Sequence, residues 1–176
     1  MSATPRPELY HDLDYLGGAS AYADEVYEVI RKGPIFEEFS HQEIEVICQF
    51  MHCYAAQRNV ILLKEGGDGD YLLVVLSGKV EVRKFDLKGQ PQSIATVGPG
   101  NILGEMSLFD GEHRFATCSA MVPTDFAVMT RADLNELLVL YPRLANKFLI
   151  KMIQIMVGRM RDTGMRLVEN LSAPIV

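Results

Sequence analysis

One short stretch of the chain carries residue types that could bind an anion. Gly104-Glu105 opens a predicted single turn of helix, and Arg114 follows nine residues after the glutamate. The free N–H groups of a helical turn favour negative charge, and a glycine lets the backbone come close to a ligand. A guanidinium offers paired donors that match phosphate oxygens. Because a carboxylate repels phosphate, Glu105 is better suited to accept a hydrogen bond from a hydroxyl, such as one of a ribose.

The whole stretch resembles the phosphate-binding cassette of cyclic-nucleotide-binding domains, the family of the catabolite activator protein and the regulatory subunits of protein kinase A. That family has Gly-Glu, two small or apolar residues and Leu, then a variable loop followed by Arg, a small residue, Ala and Thr or Ser. This chain has Gly104-Glu105-Met106-Ser107-Leu108 and then Arg114-Phe115-Ala116-Thr117. Flanking segments between about residues 34 and 163 match as well: Pro34-Ile35-Phe36, Glu65-Gly66, Gly69-Asp70-Tyr71, Leu76-Ser77-Gly78-Lys79-Val80 and Pro99-Gly100.

The resemblance implies a role for each cassette residue. Glu105 would accept the ribose 2′-hydroxyl, and Arg114 would pair with the cyclic phosphate. Backbone N–H groups would complete the anion site, and here they belong to Gly104, Met106, Phe115 and Ala116. The implied ligand is cAMP or, as the second choice, cGMP, with no catalytic residue, cofactor or metal.

Phe115 departs from the family pattern, which has a small residue or Ser/Thr at this position, the latter often linked with cGMP. The missing hydroxyl favours cAMP, whereas the bulk of the ring could crowd the base. A receptor for cAMP is therefore the first hypothesis, and a nucleotide-free protein-interaction domain of the same fold is the alternative. A jelly-roll enzyme is the third, but no clustered metal ligands or nucleophile–base pair supports it.

The elements that must position these residues are predicted to be short strands. Six apolar or alternating runs are separated by glycine-rich turns: Val60–Lys64, Tyr71–Leu76, Lys79–Phe85, Ser93–Val97, Ala116–Ala120 and Phe126–Met129. This pattern predicts a mainly β fold, an antiparallel β-roll of the jelly-roll or cupin-like barrel type, with flanking helices. We expect a lead-in and helix over residues 1–33, the cyclic-nucleotide-binding β-roll over 34–130, and C-terminal helices over 131–170, acting as lid and dimer interface.

Helix boundaries are indicated by capping and breaking residues. The first 18 residues are expected to be a loose lead-in before a helix over Ala19–Arg31. Ser40 with Glu43 forms a capping box for a second helix. A helix over Asp133–Leu140 follows the strands, and Pro142 begins a long helix that ends near residue 170.

The long helix carries a heptad seam with spacings of 4, 3, 4, 3 and 4: Leu149, Ile153, Met156, Met160, Thr163 and Leu167. The seam fits either packing on the chain's own β-roll or a dimer. In the catabolite activator protein the corresponding helix forms the dimer interface and offers a threonine to the adenine, which favours a homodimer. The resemblance implies that Thr163 contacts the base, with Arg159 as the alternative. A nucleotide that touches both the cassette and this helix would favour the arrangement that holds them together, and so would relay binding through the helix.

Composition limits the partners. The chain has 176 residues, 48% hydrophobic and 23% charged, which suits one domain with additional helix. Seventeen basic and 23 acidic residues give a net charge of −6, which disfavours a general affinity for DNA. No helix-turn-helix is predicted after the long helix, so we expect no direct DNA binding and an output through an unknown protein partner. With no secretory signal, no membrane-spanning run and three cysteines without Cys-x-x-Cys spacing, the predicted location is the cytoplasm.

Overall fold

The computed structural model describes residues 13–31 and 33–172. The strands are β1 Leu13–Gly18, β2 His52–Ala56, β3 Ile61–Leu63, β4 Tyr71–Val75, β5 Val80–Phe85, β6 Pro91–Val97, β7 Ile102–Leu103, β8 Thr117–Ala120 and β9 Thr124–Thr130. The α-helices are α1 Ala23–Ile30, α2 His41–Cys48, α3 Glu105–Asp110, α4 Arg131–Leu140 and α5 Pro142–Ser172, and a 3₁₀ turn, Ala19–Tyr22, precedes α1.

The strands form two antiparallel sheets. One has five strands in the order β1-β2-β9-β4-β7, and the other has four in the order β3-β8-β5-β6. The predicted fold class, mainly antiparallel β with flanking helices and a long C-terminal helix, is confirmed. Within the described part of the chain the sheets stay separate and do not close into the barrel that a cupin-like roll would have.

The predicted lead-in is partly a strand. Leu13 to Gly18 pairs antiparallel with β2, from Leu13 opposite Ala56 to Gly18 opposite His52. Tyr15 and Leu16 remain 48% and 42% exposed, so the segment shows little of the alternating burial by which a strand is recognised in sequence. Backbone hydrogen bonds to the sheet edge hold it instead. The first twelve residues of the lead-in lie outside the described residues.

Two apolar clusters divide the molecule into three layers. In β4, Leu73 and Val75 face the four-stranded sheet and pack with its Val80. Their neighbours Leu72 and Val74 face the other way, into a cluster formed with the helices. This alternation follows from the period of two in a strand. Helices therefore cover one face of the five-stranded sheet, and the four-stranded sheet covers the other.

Two capping boxes fix helix starts. The backbone N–H of Glu43 donates to the hydroxyl of Ser40, and Glu43 accepts from the backbone N–H of Ser40 at 2.8 Å, as predicted. Thr130 and Asp133 make the same pair of contacts and move the start of α4 to Arg131, ahead of the predicted Asp133. The helix α5 begins at Pro142 as predicted. Within the described ranges no helix combines the length and apolar character needed to cross a membrane.

Candidate functional site

Arg114 is a buried cation that forms no ion pair with a carboxylate of the described residues. Its side chain is 4% exposed, and its Nη1 donates to the backbone oxygen of Gly104 at 2.8 Å. Its Cζ lies 4.3 Å from the ring centre of Tyr71. Its Nη2 is buried without a hydrogen-bond partner among the described residues. Since burying an unpaired charge costs roughly several kcal/mol, this environment favours an incoming anion.

Tight backbone contacts hold Arg114 in place. Its N–H donates to the oxygen of Gly67 at 2.8 Å, and the N–H of Gly66 donates to its oxygen at 2.9 Å. A Cβ on Gly69 would lie 2.5 Å from Nε of the guanidinium, and one on Gly104 would lie 2.6 Å from Nη1. Gly104 also has a φ of +81°, which favours glycine. The glycines of both segments therefore leave the space that the guanidinium occupies.

Glu105, the first residue of α3, is 5% exposed and is paired with the long C-terminal helix. Arg159 of α5 places its Nη1 2.5 Å from Glu105 Oε1 and donates from Nη2 to the backbone oxygen of Ile102 at 2.8 Å. The Cys118 thiol of β8 lies near these charges. Burial raises the pKa of Cys118 to about 12, Glu105 adds to the rise, and the charges of Arg114 and Arg159 oppose it.

The structure brings some of the predicted site residues together and leaves others outside. Gly104, Glu105 and Arg114 converge, and Ala116 is buried beside them in the cluster between the sheets. Met106 and Phe115 are 42% and 52% exposed, so their side chains lie at the surface, and binding by their backbone N–H groups stays a prediction.

Thr163 and Arg159 differ in placement. The hydroxyl of Thr163 donates to the backbone oxygen of Arg159 at 2.8 Å, one turn earlier in the same helix, and its side chain is exposed. Arg159, the alternative base contact, is instead held on Glu105. A contact from Thr163 to a base stays a prediction.

Sequence reasoning missed three residues around the cassette. Tyr71 supports the guanidinium of Arg114, and its hydroxyl donates to the backbone oxygen of Leu62 at 3.2 Å. Lys84 of β5 lies with Nζ 4.6 Å from the ring centre of Phe115 and pairs with Glu65 at 2.7 Å. The sequence held Glu65 and Tyr71 only as hairpin positions. It carried no pattern that joins them to residues far along the chain.

Comparison with known proteins identifies the family of the chain. The family model for the cyclic nucleotide-binding domain matches residues 55–141. A crystal structure of a cyclic nucleotide-binding domain from Methylobacillus flagellatus is 42% identical, covering 98% of this chain and 100% of that one, with a TM-score of 0.85. The catabolite activator protein of Thermus thermophilus is 26% identical, with a TM-score of 0.71 over 80% of this chain and 63% of its own.

The curated relatives are longer than this chain. The cyclic AMP receptor protein of Thermus thermophilus is 26% identical over 138 residues, which is 78% of this chain and 62% of that protein. The chain thus spans less than two thirds of that relative, whereas it matches the domain from Methylobacillus flagellatus over its full length. The chain belongs to the cyclic nucleotide-binding domain family.

Proposed function

We propose that this chain is a receptor module for a cyclic nucleotide, with cAMP as its ligand, and that it performs no chemistry on that ligand. The observation that carries the proposal is Arg114, buried with one terminal nitrogen unpartnered among the described residues. A cyclic phosphate supplies the missing acceptor and the missing negative charge. Charge-assisted hydrogen bonds of this kind are roughly twice as strong as neutral ones.

Glu105 supports the ribose half of the site. One of its oxygens, Oε1, accepts from Arg159, and a carboxylate has a second oxygen that can accept from a ribose hydroxyl. A ligand bound there would touch the same carboxylate that holds α5. The nucleotide, Glu105 and Arg159 would then form one chain of contacts, and binding would be relayed by a change in the position of α5.

Two observations favour cAMP over cGMP, and a third favours a nucleotide-binding domain over an empty one. Phe115 has no hydroxyl to offer to a guanine, and the Thermus thermophilus relative is named a cyclic AMP receptor protein. The ring of Phe115 is 52% exposed, lies against Lys84 and does not pack among the buried residues of the cluster between the sheets. This placement favours a nucleotide-binding domain over the nucleotide-free alternative, in which Phe115 would fill the pocket.

Isothermal titration calorimetry tests the proposal. The chain is expected to bind cAMP, and Arg114→Ala is expected to weaken binding roughly 100-fold or more, because two charged hydrogen bonds are worth about 1.5–3 kcal/mol each. Arg58→Ala, which removes an exposed arginine outside the cassette, is the matched control and should leave the affinity unchanged. No heat with either cAMP or cGMP would favour the nucleotide-free domain instead.

We further propose that two chains associate through α5. Ile153, Met160 and Leu167 lie seven residues apart and are 56%, 67% and 59% exposed, which leaves an apolar stripe in water. Light scattering is expected to give a dimer for the wild type and a monomer for Met160→Lys. Arg166→Lys, on the same exposed part of the helix, is the control that should remain dimeric. A wild-type monomer at high concentration would refute the dimer and leave the nucleotide site untouched.

A further inference from the structure

Lys84 of β5 lies on the inner face of the four-stranded sheet. Val80 and Val82 point into the cluster between the two sheets, and the pairing of β5 with β8 is regular from Val80 to Arg83. Because side chains of a strand alternate, Lys84 faces the same way as Val82, one step nearer the end of the strand. The Phe115 ring, 4.6 Å from Lys84 Nζ, therefore lies at this end of the space between the sheets.

This end of the inner face is open. Ala95 pairs with Val82 across β5 and β6 and so shares its inner face, yet Ala95 is exposed. From Pro91 to Thr96 every residue of β6 is exposed, on both faces of the strand. The space between the sheets is thus closed by apolar side chains at Val80 and uncovered beside Ala95 and Phe115.

Phe115 is held in position from one side. Lys84 donates to Glu65 Oε1 at 2.7 Å, and Glu65 Oε2 accepts from the backbone N–H of Phe85 at 3.1 Å. The hydrogen bond from Lys84 lowers the pKa of the Glu65 carboxyl and so favours its charged form. A cation on one face of an aromatic ring is attracted by its quadrupole, and here it leaves much of the ring accessible.

We propose that Phe115, backed by Lys84, is the stacking surface for the nucleobase. This inference rests on the proposed function. When the phosphate is bound to Arg114, Phe115, the next residue along the chain, contacts the part of the ligand that extends toward the open end. That part is the planar base. Phe115 then recognises the face of the base, so its ring raises the affinity for cAMP and cGMP alike. It does not change the affinity for a cyclic ribose phosphate that lacks a base.

The test compares three ligands by calorimetry: cAMP, cGMP and the 3′,5′-cyclic phosphate of 1-deoxyribose. Phe115→Leu keeps a large apolar side chain and removes the ring. This variant is expected to lower the affinity for both nucleotides by roughly 5- to 100-fold, which is the range for stacking of one base on an aromatic side chain. Its affinity for the ligand without a base should not change. Phe115→Trp should restore binding. Lys84→Met should give a smaller loss of roughly two- to fivefold.

Phe85→Leu is the matched control, since Phe85 is 51% exposed and lies one residue from Lys84, on the opposite face of β5. The inference is overturned if Phe115→Leu binds cAMP as tightly as the wild type or tighter. An equal loss for the baseless ligand would also overturn it, because Phe115 would then act on the phosphate site. If the wild type binds none of the three ligands, the proposed function fails as well, so the two failures are distinguishable.

Discussion

A single methyl group added at Gly69 would collide with the guanidinium of Arg114. Gly69→Ala adds a Cβ that would lie 2.5 Å from Nε and 2.6 Å from Cζ of Arg114, and 2.8 Å from Cβ of Ser107. The Ser107 backbone is fixed by Arg131, which donates to its oxygen at 2.9 Å. The guanidinium must therefore move. We expect overpacking to lower the free energy of unfolding by about 1–3 kcal/mol. Loss of one aligned charged hydrogen bond should weaken cAMP binding by about 2 kcal/mol, roughly 30-fold.

Calorimetry with cAMP and urea denaturation measure the two effects separately. Gly164→Ala is the control, since a Cβ there meets nothing within 4 Å and alanine should stabilise the exposed helix by up to about 1 kcal/mol. Wild-type affinity in Gly69→Ala would show that Arg114 does not need its present position to hold the phosphate. Such a result would refute the role of Gly69 in positioning the guanidinium of Arg114, whatever the change in the free energy of unfolding.

Three further predictions concern stability and reactivity. Arg159→Met should lower the free energy of unfolding by about 1–2 kcal/mol, which is less than the loss of a fully buried ion pair because Arg159 is 39% exposed. The control, Arg166→Met, should leave the free energy of unfolding unchanged. Equal unfolding midpoints of the two variants in urea would contradict this prediction. Ser40→Ala should cost about 1 kcal/mol by the same measurement, because it removes the capping box of α2, and Ser93→Ala is the control. Burial raises the pKa of Cys48 to about 12, of Cys53 to about 11 and of Cys118 to about 12. Since only the thiolate reacts, Ellman's reagent at pH 8 should label no thiol rapidly in the native protein and three after unfolding, and a fast native thiol would be inconsistent with this burial.

The strands that local pattern predicts either alternate between buried and exposed side chains or, like β4, form an uninterrupted run of large apolar residues. Val80 and Val82 alternate with partly exposed Glu81 and Arg83, and β5 was predicted to within one residue. In contrast, β2 is largely buried and contains two alanines, so it shows neither alternation nor β-branched residues and was missed. The strand β7 has two residues, too few for any periodicity.

The candidate site likewise combines contacts that the sequence predicts with contacts that it does not. Glu105 and Arg114 lie in one segment whose motif is visible in sequence, and their convergence with Gly104 could be anticipated. The partner of Glu105 could not, because Arg159 lies 54 residues away and is one of several basic residues on α5. Tyr71 under the guanidinium is a contact of the same long-range kind, created by the packing of β4 against the cassette.

The attachments of α5 suggest which part of it can respond to a ligand. Its first half is buried at Phe148 and Met152 and is tied to the N-terminal region by Lys147, whose Nζ lies 2.7 Å from Glu43. From Met160 to Glu169 every residue is exposed, and among the described residues the ion pair of Arg159 with Glu105 is the one nearest to the C-terminal end of α5. A ligand that competes for Glu105, or binds its second oxygen, therefore acts where the helix leaves the core. The buried half resists displacement through its apolar contacts, so the exposed half is the part whose direction the nucleotide could set.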